Sequence, residues 1–272
     1  MAAVNDSMVC VVAHPDDESR LCGGILALLA AKGVDVHIVS LTRGEGGELG
    51  EPPLCTREEL GAVREREMRC ACAALGARSV TFLDYVDPLV GPENALFAPE
   101  ADEATLAGQI AEIVIAIGAQ AWLRARASFP KGWTPTLAIL AHGTNGEYGH
   151  PGHRLAHRGA RAAVALLGDS APVFYTFGAS FPDNPRPRLG NADDPAHFVV
   201  DIRPYLDRVL AATLCHKTQH ALFVRRRSKE QGRPVSVEEV VYLETHEAVR
   251  RQWPLVADGQ APEDVFASWL SA

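Results

Sequence analysis

The sequence lacks a long apolar run and an excess of positive charge. No apolar stretch approaches the roughly 18 residues of a membrane span, and no basic, apolar leader opens the chain. The formal net charge is −8, whereas a protein that binds nucleic acid needs a basic surface for the phosphates. We therefore expect no membrane span and no nucleic-acid partner.

The sequence also has few clusters of basic residues and no regular spacing of its cysteines. The one dense basic run is 225–227, three arginines that we interpret as a solvated loop, with a contact to an anionic substrate as the alternative. The six cysteines show no framework spacing, which fits a reducing cytoplasm. The Gly-rich loop at 42–48 lacks a G-x-G-x-x-G spacing, and this removes most of the case for a dinucleotide cofactor.

What the chain has is apolar sequence, 47% of its 272 residues, which suffices for a sizeable core. Short apolar strands alternate with helical patterns, and this alternation predicts an α/β fold with a mostly parallel, doubly wound sheet. We predict strands at 10–13, 35–41, 79–83, 137–141, 173–177 and 197–201, and helices at 24–31, 56–75, 106–117, 153–167 and 204–217. The aromatic and basic stretch 119–134 is either a lid over a substrate or ordinary packing. Residues 240–245 show no clear period.

Polar residues follow two of the predicted strands directly. His14-Pro15-Asp16-Asp17-Glu18 ends the first strand, and 144–153 follows the strand at 137–141. Because the carboxyl ends of parallel strands share one edge of a sheet, we expect the two clusters to converge. Imidazole and carboxylate are the ligands of a catalytic zinc, which keeps a position for water and lowers its pKa to about 7. One of Asp16 and Asp17 can bind the metal while the other is the general base, and spacing alone leaves open which.

The residues Ala13-His14-Pro15-Asp16-Asp17-Glu18, together with Asn145-Gly146-Glu147-Tyr148-Gly149-His150-Pro151-Gly152-His153, resemble the PIG-L/LmbE family of metal-dependent N-acetylglucosaminyl de-N-acetylases. The resemblance implies a Rossmann-like three-layer fold over residues 1–220, with 221–272 as a small C-terminal extension packed on the same domain. It also implies Zn²⁺, or Fe²⁺ in some members, and a small amino-sugar substrate.

The resemblance implies three metal ligands: His14, Asp17 and His153. It makes Asp16 the general base. His150 would stabilise the tetrahedral intermediate or protonate the leaving amine, and Tyr148 would donate a hydrogen bond to the oxyanion.

Other positions match the family less closely. Arg64, Asp87 and Arg43 are the candidate substrate-binding residues. His216 is a candidate for supporting the site from behind the ligands, or else it pairs with the end of its helix. Gly152 stands where the family usually has an aspartate that orients the neighbouring histidine, so the protonation state of His150 is open.

We therefore predict a cytoplasmic, zinc-dependent hydrolase that removes an N-acetyl or other N-acyl group from a glucosamine-type conjugate. Hydroxide held by the metal would attack the amide, with Asp16 as the general base. One alternative is an amidase acting on a sugar-thiol conjugate. Another is a metal-bound carbohydrate-binding protein whose catalysis has lapsed. The sequence leaves three points open: the carrier of the sugar, the choice between zinc and iron, and whether the protein is a homo-oligomer.

Overall fold

Strands and helices alternate along the chain in the computed structural model, which describes residues 6–128, 134–257, 260 and 262–271. The strands are β1 (Ser7–Val12), β2 (Asp35–Thr42), β3 (Ser79–Tyr85), β4 (Leu137–Ala141), β5 (Val173–Phe177), β6 (Ala179–Ser180), β7 (Asn191–Pro195), β8 (Phe198–Asp201) and β9 (His246–Trp253). The helices are α1 (Asp17–Arg20), α2 (Gly23–Ala31), α3 (Leu60–Leu75), α4 (Glu103–Ser128), α5 (Pro151–Leu167), α6 (Leu206–Cys215), α7 (His220–Gln231), α8 (Val237–Tyr242) and α9 (Val265–Ser271).

The main sheet has the strand order β3-β2-β1-β4-β5-β9-β8 in the described part of the chain. From β3 to β5 all neighbouring strands are parallel, and β9 runs antiparallel to both β5 and β8. A small separate sheet pairs β6 with β7. The prediction of a mostly parallel α/β sheet is confirmed.

Strand β1 lies at the centre of this sheet and is buried on both faces. Alternate residues of a strand point to opposite faces, so Met8 and Val12 pack with α2, α3 and α6, whereas Val9 and Val11 pack with α4 and α5. Each such side chain contributes about 1.5–3 kcal/mol when fully buried. The two helix layers thereby hold the carboxyl end of β1 in a rigid position.

Helix α4 extends further than its sequence indicates. Gly118 was expected to end it, yet the helix continues to Ser128, because Gly118 approaches Leu137 closely and the alanine-rich residues beyond it are good helix formers. Residues 119–128 therefore belong to this helix, and the prediction of a lid over a substrate is wrong for them. Residues 129–133 lie outside the described residues. By length and hydropathy Glu103–Ala127 would also qualify as a membrane span, but its inner face packs on the sheet as a core helix does.

The C-terminal segment contributes to the main sheet. Strand β9 lies between β5 and β8. The stretch 240–245, which shows no clear period, holds the end of α8 and the residues that lead into β9. The basic run 225–227 lies in α7 and is not a loop, and Arg227 is buried. The division at residue 220 stays a prediction.

One disulfide is present where only free cysteines were expected. Cys70 of α3 and Cys215 of α6 are bonded, with an S–S distance of 2.06 Å. The two residues are 145 positions apart, so spacing along the chain gives no sign of the pairing. The packing of α3 against α6 brings them together.

Candidate functional site

The two polar clusters meet at the carboxyl edge of β1 and β4, which are neighbours in the sheet. The strand order turns here, since β2 and β3 lie on one side of β1 while β4 and β5 lie on the other. Doubly wound sheets bind ligands at such a point. A hydrogen bond from the Ala13 amide to His142 Nε2, 3.1 Å long, joins the two strand ends.

Asp17 lies at the centre of the site and is buried. Its Oδ2 accepts a 2.9 Å hydrogen bond from the His14 amide, and its Oδ1 lies 3.3 Å from His153 Nε2. Burial raises the pKa of Asp17, but His153, His142 and His14 outweigh it and hold the pKa well below its ordinary value. The side chain is therefore an ionised carboxylate that faces imidazole nitrogens.

Glu147 is a buried carboxylate to which the sequence assigns no role. Its Oε2 accepts hydrogen bonds from His142 Nδ1 at 2.8 Å and from His153 Nδ1 at 2.6 Å. Its Oε1 accepts from the Gly143 amide and from Asn191 Nδ2. Both imidazoles therefore donate from Nδ1 to Glu147 and present Nε2 towards Asp17. Asn191 is 44 residues away in sequence, so no local signal identifies this network.

The side chains present fit a divalent metal. His14 Nε2 and His153 Nε2 are buried and have no hydrogen-bond partner in the described structure. Two overlapping groups hold ligand atoms within 4.8 Å of one another, His14 with His150 and His153, and Asp17 with His142 and His153. His142 Nε2 already accepts a hydrogen bond from the Ala13 amide, so His153 Nε2 is the nitrogen whose lone pair is more available to a metal. The three predicted ligands all belong to these groups, and imidazole with carboxylate suits a metal such as zinc.

Asp16 has a left-handed backbone, with φ of 115°. An aspartate in this region is strained and requires support, and its amide donates to Glu18 Oε2 at 2.9 Å. Arg64 Nη2 donates to Asp16 Oδ2 at 3.1 Å and also to the Pro15 carbonyl. Burial raises the pKa of Asp16 to about 6, and Arg64 opposes that rise. Arg64, predicted to hold substrate, is itself buried and supports Asp16 in this structure.

His216 lies behind this turn. Its Nε2 is 2.6 Å from Glu18 Oε1, and both side chains are fully buried. Burial lowers the pKa of His216, but Glu18 outweighs it and raises the pKa above its ordinary value. The structure thus links His216 through Glu18 to the backbone amide of Asp16.

Gly152 explains how His150 is oriented without the usual aspartate. The Gly152 amide donates to His150 Nδ1 at 3.1 Å, so the proton of a neutral His150 lies on Nε2. Burial lowers the pKa of His150 to about 2, and His14 and His153 add to that effect. A Cβ at position 152 would lie 2.9 Å from His14 Nε2, so any side chain here requires the His14 ring to move.

Tyr148 lies at the rim of the site, 40% exposed, with its ring 5.3 Å from that of His153. The guanidinium of Arg226 lies 5.3 Å from the centre of the Tyr148 ring. Burial raises the pKa of Tyr148, and Arg226 opposes the rise, so the phenol keeps its proton. The sequence missed Arg226 because the run 225–227 gives no sign of which arginine faces the site.

Asp87 Oδ1 lies 3.3 Å from His14 Nε2, next to the metal ligands. Burial lowers the pKa of His14, but Asp87 and Asp17 outweigh it and raise the pKa to about 9. A metal that binds His14 must therefore displace a proton. Arg43 lies further out, where it pairs with Glu65.

Residues 9–164, more than half of the chain, match the family model described as PIG-L, GlcNAc-PI de-N-acetylase. A 1D-myo-inositol 2-acetamido-2-deoxy-alpha-D-glucopyranoside deacetylase from Acidothermus cellulolyticus is 30% identical over 251 residues, which cover 79% of this chain and 80% of the relative.

Two solved structures share the fold. GalB, the 4-carboxy-2-hydroxymuconate hydratase from Pseudomonas putida KT2440, has a TM-score of 0.58 and 22% identity, covering 94% of this chain and all of that chain. N,N'-diacetylchitobiose deacetylase from Pyrococcus horikoshii has a TM-score of 0.56 and 17% identity, covering 91% of this chain and 84% of that chain. One is a hydratase and the other a deacetylase, so the fold alone does not identify the reaction. The family match and the sequence relative do identify the family, and this chain belongs to the PIG-L de-N-acetylases.

Proposed function

We propose that this chain is a zinc-dependent hydrolase that removes an N-acetyl group from a glucosamine-type conjugate. The observation that carries the proposal is the placement of Asp16, an ionisable carboxylate outside the ligand groups, beside His14, Asp17 and His153. A site that only binds metal has no use for a supported base at this position. The family and the named relative, a deacetylase of an inositol-linked amino sugar, support the same reaction.

We propose His14, Asp17 and His153 as the residues that hold the metal. A zinc bound there would supply Lewis acidity and lower the pKa of a water towards about 7, and iron is the alternative metal. Glu147 orients His153 by accepting its Nδ1 proton. This leaves Asp17 as the anionic ligand and Asp16 free for proton transfer.

Asp16 would act first as a base and then as an acid. Its carboxylate takes the proton of the attacking water and later delivers it to the amine that leaves the acetyl group. Arg64 holds the carboxylate in one orientation through these two transfers. The raised pKa of Asp16, about 6, suits a group that must gain and lose a proton near neutral pH.

His150 and Tyr148 would stabilise the oxyanion that forms at the amide carbon. The neutral His150 has its proton on Nε2, opposite the nitrogen that Gly152 holds, so it can donate a hydrogen bond. The low pKa of His150 argues against a role as proton donor to the amine. The protonated phenol of Tyr148 is a second donor at the rim.

We propose that the sugar hydroxyls bind Asp87, whose carboxylate lies next to the candidate metal ligand His14. Arg43 and Arg64 stay predicted substrate contacts. We also propose a cytoplasmic location, and the disulfide between Cys70 and Cys215 is a feature that stands against it.

The test is amine release from a panel of N-acetylglucosamine, its inositol conjugate and N,N'-diacetylchitobiose. We expect turnover with zinc-loaded protein, loss of turnover after chelation, and its return when zinc or iron is added back. Metal analysis of the purified protein decides between the two metals. Stoichiometric metal with no release from any of the three compounds would support a carbohydrate-binding protein instead.

Arg226→Ala is expected to lower kcat about two- to fivefold while leaving metal content unchanged, because it removes the cation that holds the Tyr148 ring. Arg225→Ala is the matched control, since Arg225 lies beside it on α7 but pairs with Glu48 and Glu51. Steady-state kinetics on one neutral substrate check the prediction. Equal effects of the two substitutions, or a change in KM alone, would contradict it.

A further inference from the structure

The outer face of α4 is apolar where a surface helix is usually polar. Ile115 is 58% exposed, Leu123 62% and Trp122 42%. Ala116 and Ala119, between them, are exposed too. We call the outer face the set Glu112, Ile115, Ala116, Ala119, Trp122, Leu123 and Arg126. A contiguous exposed patch of this kind usually marks an interaction surface.

The members of the outer face are placed symmetrically about Ala119. Successive residues of a helix turn by about 100°, so all seven lie within about 60° of the direction in which Ala119 points. Glu112 and Arg126 lie seven residues before and after Ala119. Four residues away on either side are the large apolar Ile115 and Leu123, and three residues away are Ala116 and Trp122.

We propose that the outer face of α4 binds the same face of a second copy of this chain. When two such helices pack antiparallel about a two-fold axis at Ala119, each residue lies at the level of its symmetric counterpart. Glu112 then faces Arg126 at both ends of the contact. The small Ala119 at the axis lets the backbones approach, and Ala116 leaves room for Trp122 of the other copy.

The charges favour this occupant over a membrane surface. In the described part of the chain neither Glu112 nor Arg126 has an ion-pair partner, and the Arg126 guanidinium lies 4.7 Å from the centre of the Trp122 ring. One acidic and one basic residue thus frame the apolar patch, whereas membrane-surface helices carry mainly lysine and arginine on their polar side. Opposite charges at the two ends select an antiparallel copy of the same helix.

A single helix pair lies at the small end of specific interfaces, so we expect a weak dimer with a Kd on the order of 10 µM. Sedimentation velocity over a range of protein concentrations measures it. The expected result is a shift from monomer to dimer as the concentration rises. A monomer at every concentration reached would overturn the proposal.

Ala119→Arg is expected to weaken the dimer at least about tenfold, since it places two like charges and two long side chains at the axis. Gln120→Arg is the matched control. It adds the same side chain at the next exposed position, about 100° around the helix and off the outer face. Equal weakening by both variants, or by neither, would contradict the proposed axis.

A charge exchange tests the pairing itself. Glu112→Arg and Arg126→Glu are each expected to weaken the dimer about tenfold, and the double variant is expected to restore it. Amine release, which is independent of this face, should stay unchanged and shows that the variants fold. Failure of the double variant to restore dimerisation overturns the pairing. Sedimentation of wild-type protein with phosphatidylcholine and phosphatidylglycerol vesicles, lost in Ala119→Arg, would assign the face to a membrane instead.

Discussion

Asp16→Asn is expected to lower kcat by about 10² to 10⁴-fold while the metal content stays the same. The amide has the shape of the carboxylate but cannot accept the proton of the attacking water. Asparagine tolerates the left-handed backbone that Asp16 adopts, so the turn should keep its conformation. Its side-chain oxygen can still accept the hydrogen bond from Arg64. Turnover measurements check the expected loss of kcat, and metal analysis of the same preparation checks that the metal content is unchanged.

Asp84→Asn is the control for this substitution, because Asp84 is also an aspartate with positive φ but is exposed and pairs with Arg43. We expect it to leave kcat nearly unchanged. If Asp16→Asn retains turnover, or loses turnover only because it loses metal, then Asp16 is not the base.

The pH profile gives a second check on Asp16. The base acts as the ionised carboxylate, so kcat/KM is expected to be full above the pKa of Asp16 and to fall as the pH drops through it. Burial places that pKa at about 6. The fall should be about tenfold per pH unit on the acid side. An unchanged rate down to pH 4 would exclude the raised pKa.

Glu147→Gln is expected to weaken metal binding by about 10- to 100-fold. The carboxylate accepts the Nδ1 protons of both His142 and His153, and a neutral amide cannot hold the two rings with the same charge and geometry. The loss of a buried partner should also destabilise the protein by about 3 kcal/mol. Competition with a chelator measures the affinity, and thermal unfolding measures the stability.

Glu67→Gln provides the comparison, since Glu67 is a buried carboxylate that accepts from Thr218 and touches no candidate ligand among the described contacts. It should lower stability without changing metal affinity. Equal losses of metal affinity in both variants would show that Glu147 has no special role.

The acid side of the stability curve tests Glu147 independently in the metal-free protein. Burial raises the pKa of Glu147, but His142 and His153 hold it well below its ordinary value of 4.5. A depressed pKa contributes stability that is present above pH 4.5 and is lost as the pH falls below it. Stability should therefore fall less steeply below pH 4.5 in Glu147→Gln than in the wild type.

The sequence alone determined the order of most elements and the chemistry of the site. Buried parallel strands such as β1 and β4 are short apolar runs, and such runs are readable because both faces of the strand must be apolar. His14 and Asp17 follow β1 closely, and the polar cluster that ends in His153 follows β4, so local order along the chain was enough to predict a metal site at this edge of the sheet. By the same local reasoning, the charge of −8 and the lack of a G-x-G-x-x-G spacing led us to expect neither a nucleic-acid partner nor a dinucleotide cofactor.

Contacts between distant residues were decided only by the tertiary structure. Strand β9 enters the sheet between β5 and β8, a place that local sequence does not specify, and α4 continues past Gly118, which packs closely against Leu137. The disulfide between Cys70 and Cys215 likewise depends on which helices pack together.

The residues that support the site are also brought together only by the tertiary structure. Glu147 meets Asn191, and Glu18 meets His216 across 198 residues of sequence. A buried carboxylate needs a partner, but the sequence does not say which one, because the partner is chosen by the packing of helices and loops around the sheet. Local sequence and the family resemblance could therefore predict a candidate set of metal ligands, whereas the groups that orient those side chains and set their pKa values follow from the fold.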